Sequence, residues 1–170
     1  LRADNHKQQR AVATDDNLIP IDRVSSKTCV DGLAGDTDFA CDGVDLLSFV
    51  PQEQFGGSAP GGPLGADGSL SGGGVSDIWG WVDPGAEDGT GEGDEYVMLG
   101  KTNGVALFRV TDPTNPVFLG QIPNTSPNQE VWHDIKVYEN HAFIVSESAL
   151  HGVNVFDLTR LRGAEPQATW

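Results

Sequence analysis

Three side chains stand out first as carriers of chemistry. His133 and Asp134 are adjacent in Val131-Trp132-His133-Asp134-Ile135, and Asp77 opens the similar run Ser76-Asp77-Ile78. A histidine that donates to a carboxylate can shuttle protons or bind a metal. His133, Asp134 and Asp77 are therefore candidate binding residues, and with a metal they would suit a hydrolase. The competing reading gives Asp77 and Asp134 to neighbouring backbone N–H groups, because buried or edge-lying polar groups are nearly always paired. One His-Asp pair lacks a second set of ligands, so no catalytic residue is assigned.

A second candidate is the loop from Asp83 to Glu95, which gathers six carboxylates in thirteen residues among glycines. Oxygen ligands on a pliable backbone suit calcium, and Asp88, Glu92 and Asp94 are the candidate ligands. The order of acids is not that of an EF-hand, and the alternative is a solvated, charge-rich hairpin tip. Asp36, Asp38 and Asp42 form a weaker acidic cluster around the cysteines.

Other motifs carry less. Gly100-Lys101-Thr102 has the end of a phosphate loop, but Glu95 stands where its first glycine belongs and no helix follows. Gly74-Val75-Ser76-Asp77-Ile78 lacks the final glycine of a nucleophile elbow. Asn124-Thr125-Ser126 is a glycosylation sequon followed by Pro127. Trp79, Trp81, Trp132 and Tyr138 recur near strand starts, where packing between sheets accounts for them and a carbohydrate platform would require their exposure. His141 and His151 fall at turns.

The elements that must position these residues are strands. The 170 residues include 22 Gly and 10 Pro, rich in turn formers. With 10 Lys plus Arg against 25 Asp plus Glu, the net charge of −15 makes nucleic acid and anionic membranes poor partners. No run approaches the roughly 18 apolar residues of a membrane span. The sequence opens on Leu1 and its one methionine is Met98, so a processed chain with a removed signal peptide is expected. Cys29 and Cys41, twelve residues apart in a Gly- and Asp-rich segment, are expected to form a disulfide, as suits an exported protein; the alternative is two buried thiols.

Residues 1–28 are polar and aperiodic, reading as an extended arm or a frayed terminus, and 29–55 form the disulfide segment with an outer strand. Residues 56–74, with nine glycines in nineteen, form a long connection. Beyond Val75, strands are expected at Asp77–Val82, Glu95–Gly100, Gly104–Val110 and Pro116–Ile122, separated by turn residues. The order recurs at Trp132–Tyr138, His141–Ser146 and Gly152–Leu158, followed by an incomplete piece. Gly104-Val105-Ala106-Leu107-Phe108 matches Gly152-Val153-Asn154-Val155-Phe156 at a shift of 48, and Asp77-Ile78 matches Asp134-Ile135 at 57. A period near that length with four strands per unit marks propeller blades. Blades are accordingly placed at 75–123 and, incomplete, at 130–170. The run Gly43 to Pro51 echoes Asn115 to Pro123 and reads as a lone strand able to close a ring.

The stretches V-D-L-L-S-F-V-P, S-D-I-W-G-W, T-D-P-T-N-P-V-F-L-G, W-H-D-I-K-V-Y, H-A-F-I-V-S-E and H-G-V-N-V-F-D-L-T-R-L-R resemble the choice-of-anchor B family, whose members are similar to LVIVD-repeat propellers. The resemblance spans roughly Cys29 to Arg162. It implies an exported propeller attached to the cell surface, with no established catalysis to carry over. The loop between Val82 and Tyr96 is longer than that pattern.

The expectation is thus an all-β propeller fragment of two four-stranded blades, secreted or held at a cell surface. It would act as a binding or structural assembly module, completed by further chain or other copies and meeting a protein or glycan partner. The rival is a metal-dependent hydrolase using channel-facing His133 and Asp134.

Overall fold

The computed structural model describes residues 22–55, 74–128 and 130–170. Most of the arm and the Gly-rich connection, including the expectation of a long linker there, lie outside the described residues. The described chain is all-β, built from small antiparallel sheets and two short 3-10 turns.

The N-terminal part begins with β1 (Val24–Lys27), followed by β2 (Cys29–Val30), β3 (Leu33–Ala34) and β4 (Leu46–Phe49). β2 and β3 form a minimal hairpin whose turn, Asp31-Gly32, has positive φ at both residues. That is the backbone an inward-twisting two-residue turn requires. Cys29 and Cys41 are disulfide-bonded, with Cα atoms 5.8 Å apart. Such a link suits a segment with little apolar mass of its own. Within the segment expected to be a polar arm, Val24–Lys27 is a strand. The outer strand seen in 43–51 is β4, which pairs with β1 in a two-stranded sheet, with Val24 opposite Phe49 and Lys27 opposite Leu46.

Sheet one is a meander of β5 (Val75–Val82), β6 (Glu95–Lys101), β7 (Gly104–Arg109) and β8 (Val117–Pro123), in that spatial order. Its turns fall where Thr102-Asn103 and Asp112-Pro113-Thr114-Asn115 interrupt the apolar alternation. Asp112 accepts from both the N–H and the hydroxyl of Thr114, the side-chain bond that favours such residues in turns. Sheet two holds β9 (His133–Tyr138), β10 (His141–Ser146) and β11 (Val153–Asp157), in the order β9-β10-β11. Asp157 then caps a 3-10 turn over Leu158–Leu161 by accepting from Thr159 N–H.

The expected four strands of the first unit and three of the second are present. Among the described residues, no fourth strand completes sheet two. Residues 167–170 instead lie parallel to β8, where Gln121 N–H donates to Ala168 O and Trp170 N–H to Gln121 O. Gly120, at φ 128°, permits the approach, for a Cβ there would stand 2.4 Å from Gln167 O.

Two apolar layers follow from strand alternation. The main core lies between the sheets, where Trp81, Tyr96, Met98, Val105 and Leu107 of sheet one meet Ile135, Ala142, Ile144 and Phe156 of sheet two. The opposite face of sheet one, with Ala106, Phe108 and Phe118, is covered by Phe55 from the turn Gln52–Phe55. The Phe55 ring stands 5.3 Å from that of Phe108 and 6.4 Å from that of Phe118, in edge-on and tilted geometry.

Candidate functional site

The edge strands β5 and β9 run side by side, and the site is built along them. The β5–β6 register shifts between Val75 and Ile78, which frees Ser76 and Asp77 from the ladder. Irregularities of this kind re-aim side chains. Ser76 Oγ accepts from His133 N–H at 3.2 Å, and Asp77 Oδ2 accepts from Ile135 N–H at 2.7 Å. Two edge N–H groups of sheet two are thereby satisfied by side chains of sheet one, as buried main-chain donors require. Asp77 thus pairs with backbone.

His133 and Asp134 do not form a site together. Neighbours on a strand point to opposite faces, and the structure follows that rule: His133 is buried and Asp134 exposed. The His133 ring turns into the loop before β9, with Nδ1 3.1 Å from Val131 O and Nε2 2.9 Å from Asn124 Oδ1. Asn124 is oriented by its own Nδ2, which donates to Thr102 O at 3.1 Å. The His151 ring stands edge-on, 5.8 Å away. Both oxygens facing His133 are acceptors and favour the charged ring, whereas burial favours the neutral one. Burial is the larger effect and holds the imidazole below its ordinary value, with His151 adding to it and Val131 O and Glu130 opposing. The arrangement positions a loop. It does not present His133 and Asp134 as a shared pair.

On the exposed side, Lys136 joins the acids. Its Nζ pairs with Asp134, lies 3.7 Å from Asp77 Oδ2 and sits 4.5 Å above the Trp79 ring. Lys136 holds the Asp134 carboxyl below its usual range, first through their hydrogen bond. Lys136, Asp134 and the half-covered Trp79 form a polar and aromatic rim, able to hydrogen-bond and stack but not to transfer a proton through His133.

The acidic loop is organised around a residue outside it. Asp83 is buried and receives Arg162 in a two-pronged pair, Nε to Oδ2 and NH2 to Oδ1, each 2.8 Å. Arg162 also donates to Gly85 O, and Gly85 N–H to Asp83 Oδ1. Gly91, at φ 78°, packs against Asp83, and a Cβ there would lie 2.4 Å from Oδ2. The expected calcium ligands are not gathered. Asp88 accepts from Thr90 N–H, Asp94 from the hydroxyls of Thr111 and Tyr96, and Glu92 is exposed. Among the described residues, no group of three or more His, Cys, Asp or Glu is placed to hold a metal ion. The local hydrogen bonds disperse the carboxylates that the sequence bunches.

The remaining motifs are structural. Lys101 of the Gly-Lys-Thr run is buried and donates to Phe55 O at 2.9 Å, joining sheet one to its covering turn. Thr125 and Ser126 of the sequon donate to His151 O and Ala149 O, so with Asn124 the whole motif is engaged in the fold. Sequence reasoning missed Ser76, Asn124, Asp83 and Arg162. Asp83 followed by Pro-Gly and Arg162 in Arg-Leu-Arg are visible locally, but nothing local joins them.

Among the described residues, no helix is long and apolar enough to cross a membrane. Compared with models of known families, with curated proteins and with solved structures, the chain matches none.

Proposed function

We propose that the two sheets are successive blades of a β-propeller, secreted or held at a cell surface, and that it serves as a binding or structural assembly module. This is the reading that the resemblance to the choice-of-anchor B family also implies. The observation that carries it is the equivalence of the sheets. The ladder Trp79–Met98–Leu107 of sheet one corresponds to Lys136–Phe143–Val155 of sheet two, strand for strand and in the same register. The sheets are stacked face to face with their first strands adjacent, as blades around an axis require. The disulfide suits an oxidising compartment, and the net charge of −15 suits a soluble surface that shuns polyanions.

Further blades, from more chain or from other copies, complete the ring in this reading, and a protein or glycan meets its rim. The test uses the native protein. Electron microscopy is expected to show a closed ring, and a panel of ester, lactone, phosphate and glycoside substrates is expected to show no turnover that depends on His133. Absence of a ring overturns the propeller. Turnover that falls more than about a hundredfold in His133→Ala, with the fold intact, overturns the non-catalytic reading.

A further inference from the structure

The outward face of sheet two is apolar and open. Phe143, Val145, Val153 and Val155 are 38, 39, 61 and 57 % exposed. Their register shows that they form one surface, with Phe143 opposite Val155 and Val145 opposite Val153. The equivalent positions in sheet one are Met98 and Gly100 on β6 and Val105 and Leu107 on β7. Met98 and Leu107 are 0 % exposed and Val105 1 %, because sheet two lies on them. The same face of the repeat is therefore sealed once and open once.

Asp134 stands at the inner end of the open face, opposite Val145. It occupies the repeat position of Asp77, whose carboxylate takes the Ile135 N–H of the sheet stacked beside it. His133 occupies the position of Ser76, but its ring is turned into the preceding loop, so the carboxylate is the staple that recurs. Lys136 already ties Asp134 to Asp77.

We infer that Asp134 and the Phe143–Val145–Val153–Val155 face form a docking surface for a third sheet of the same repeat, whose first strand donates a backbone N–H to the Asp134 carboxylate. The inference rests on the propeller reading and names the partner of that site. The occupant is a further repeat and not a second copy of this chain. A copy stacking in the established manner would have to offer the Ala106–Phe108–Phe118 face of its sheet one, and Phe55 already covers that face.

The probe is residues 1–170 joined by a Gly-Ser linker to a second copy of residues 124–170. That copy carries the Ile135, Ala142, Ile144 and Phe156 face which sheet two lays on sheet one. Hydrogen exchange at the second copy's Ile135 amide is expected to be at least about tenfold slower than when the first copy carries Asp134→Ala, the order expected of a hydrogen bond to a charged acceptor. Both Asp134→Ala and Val155→Asp in residues 1–170 alone are expected to leave the melting midpoint unchanged, since both side chains are exposed there. In the joined chain, first-copy Val155→Asp is expected to release the appended sheet. Equal exchange with and without Asp134→Ala, an appended sheet that stays unfolded, or a docked one that survives Val155→Asp overturns the inference. So does a dimer of residues 1–170 in sedimentation that Val155→Asp dissociates, which would assign the face to a second copy. A ring in the native protein together with such a failure removes this docking assignment alone, whereas the absence of a ring removes the propeller reading.

Discussion

Arg162 grips Asp83 across 79 residues of sequence, through two parallel hydrogen bonds of 2.8 Å. The carboxylate is fully covered and the guanidinium largely so. The pair joins the long loop that follows β5 to the segment that follows sheet two. Removing Arg162 leaves a covered carboxylate without its counter-charge, so Arg162→Ala is expected to destabilise the fold and lower its urea midpoint. Urea denaturation of the variant against the parent chain reads this directly. A loss below about 1 kcal/mol would place the pair among solvated surface bridges.

The same pair sets an acid limit. Arg162 holds the Asp83 carboxyl below its ordinary 3.8, chiefly through their hydrogen bond. A carboxylate depressed in the folded state contributes stability that is complete above the unfolded value and is lost as pH falls through the folded one. Melting of the parent is therefore expected to decline steeply below about pH 4, and Asp83→Asn to flatten that decline. Paired melting curves from pH 5 to 2 decide it.

His133 predicts a separate transition. Its pKa lies below the ordinary 6.5, chiefly from burial, so the unfolded chain binds a proton that the folded chain resists. Stability from this group is complete above 6.5 and drains as pH falls toward the folded value. A fall in melting temperature between pH 7 and 5 that His133→Gln abolishes is expected. A rise over that interval would mean that Val131 O and Asn124 Oδ1 outweigh burial.

The acidic loop is expected to ignore calcium. Asp88, Glu92 and Asp94 face separate partners or solvent, and gathering them would break the turns that position Gly91 against Asp83. Titration calorimetry with millimolar calcium is expected to give no binding heat, and chelator no change in melting. A heat that Asp88→Asn abolishes would reverse this account.

Reduction of Cys29–Cys41 is expected to loosen the N-terminal segment, residues 24–49, alone. A loop of twelve residues is worth about 3 kcal/mol to the segment it closes. The β2–β3 hairpin makes few apolar contacts of its own: Val30 and Leu33 are exposed, although Ala34 is buried. Hydrogen exchange after reduction and alkylation should accelerate across residues 24–49 and stay unchanged in β6, β7 and β10.

Most strands were legible because turn chemistry brackets them. Lys101-Thr102-Asn103-Gly104 and Glu139-Asn140 interrupt apolar alternation, and the repeated Gly-Val-x-x-Phe core identifies β7 with β11. β1 was not legible, since Val24-Ser25-Ser26-Lys27 shows no apolar alternation and becomes a strand by pairing with β4. The site was legible in its types but not in its directions. Asp77 reaches the neighbouring sheet because a register shift turns it there, and His133 turns inward because Asn124 and Val131 receive it. Such directions depend on residues distant in sequence. The Arg162–Asp83 pair is the clearest instance, for its partners lie 79 residues apart in sequence.

The parallel pairing of residues 167–170 covers the free edge of β8. β8 is made some fifty residues before its outer neighbour, so during synthesis its rim of unpaired N–H and C=O groups stands open while sheet two is still being assembled. Open rims recruit other strands. Residues 167–170 cap that rim, and the Trp170 indole N–H, which donates to Leu119 O, fastens the cap.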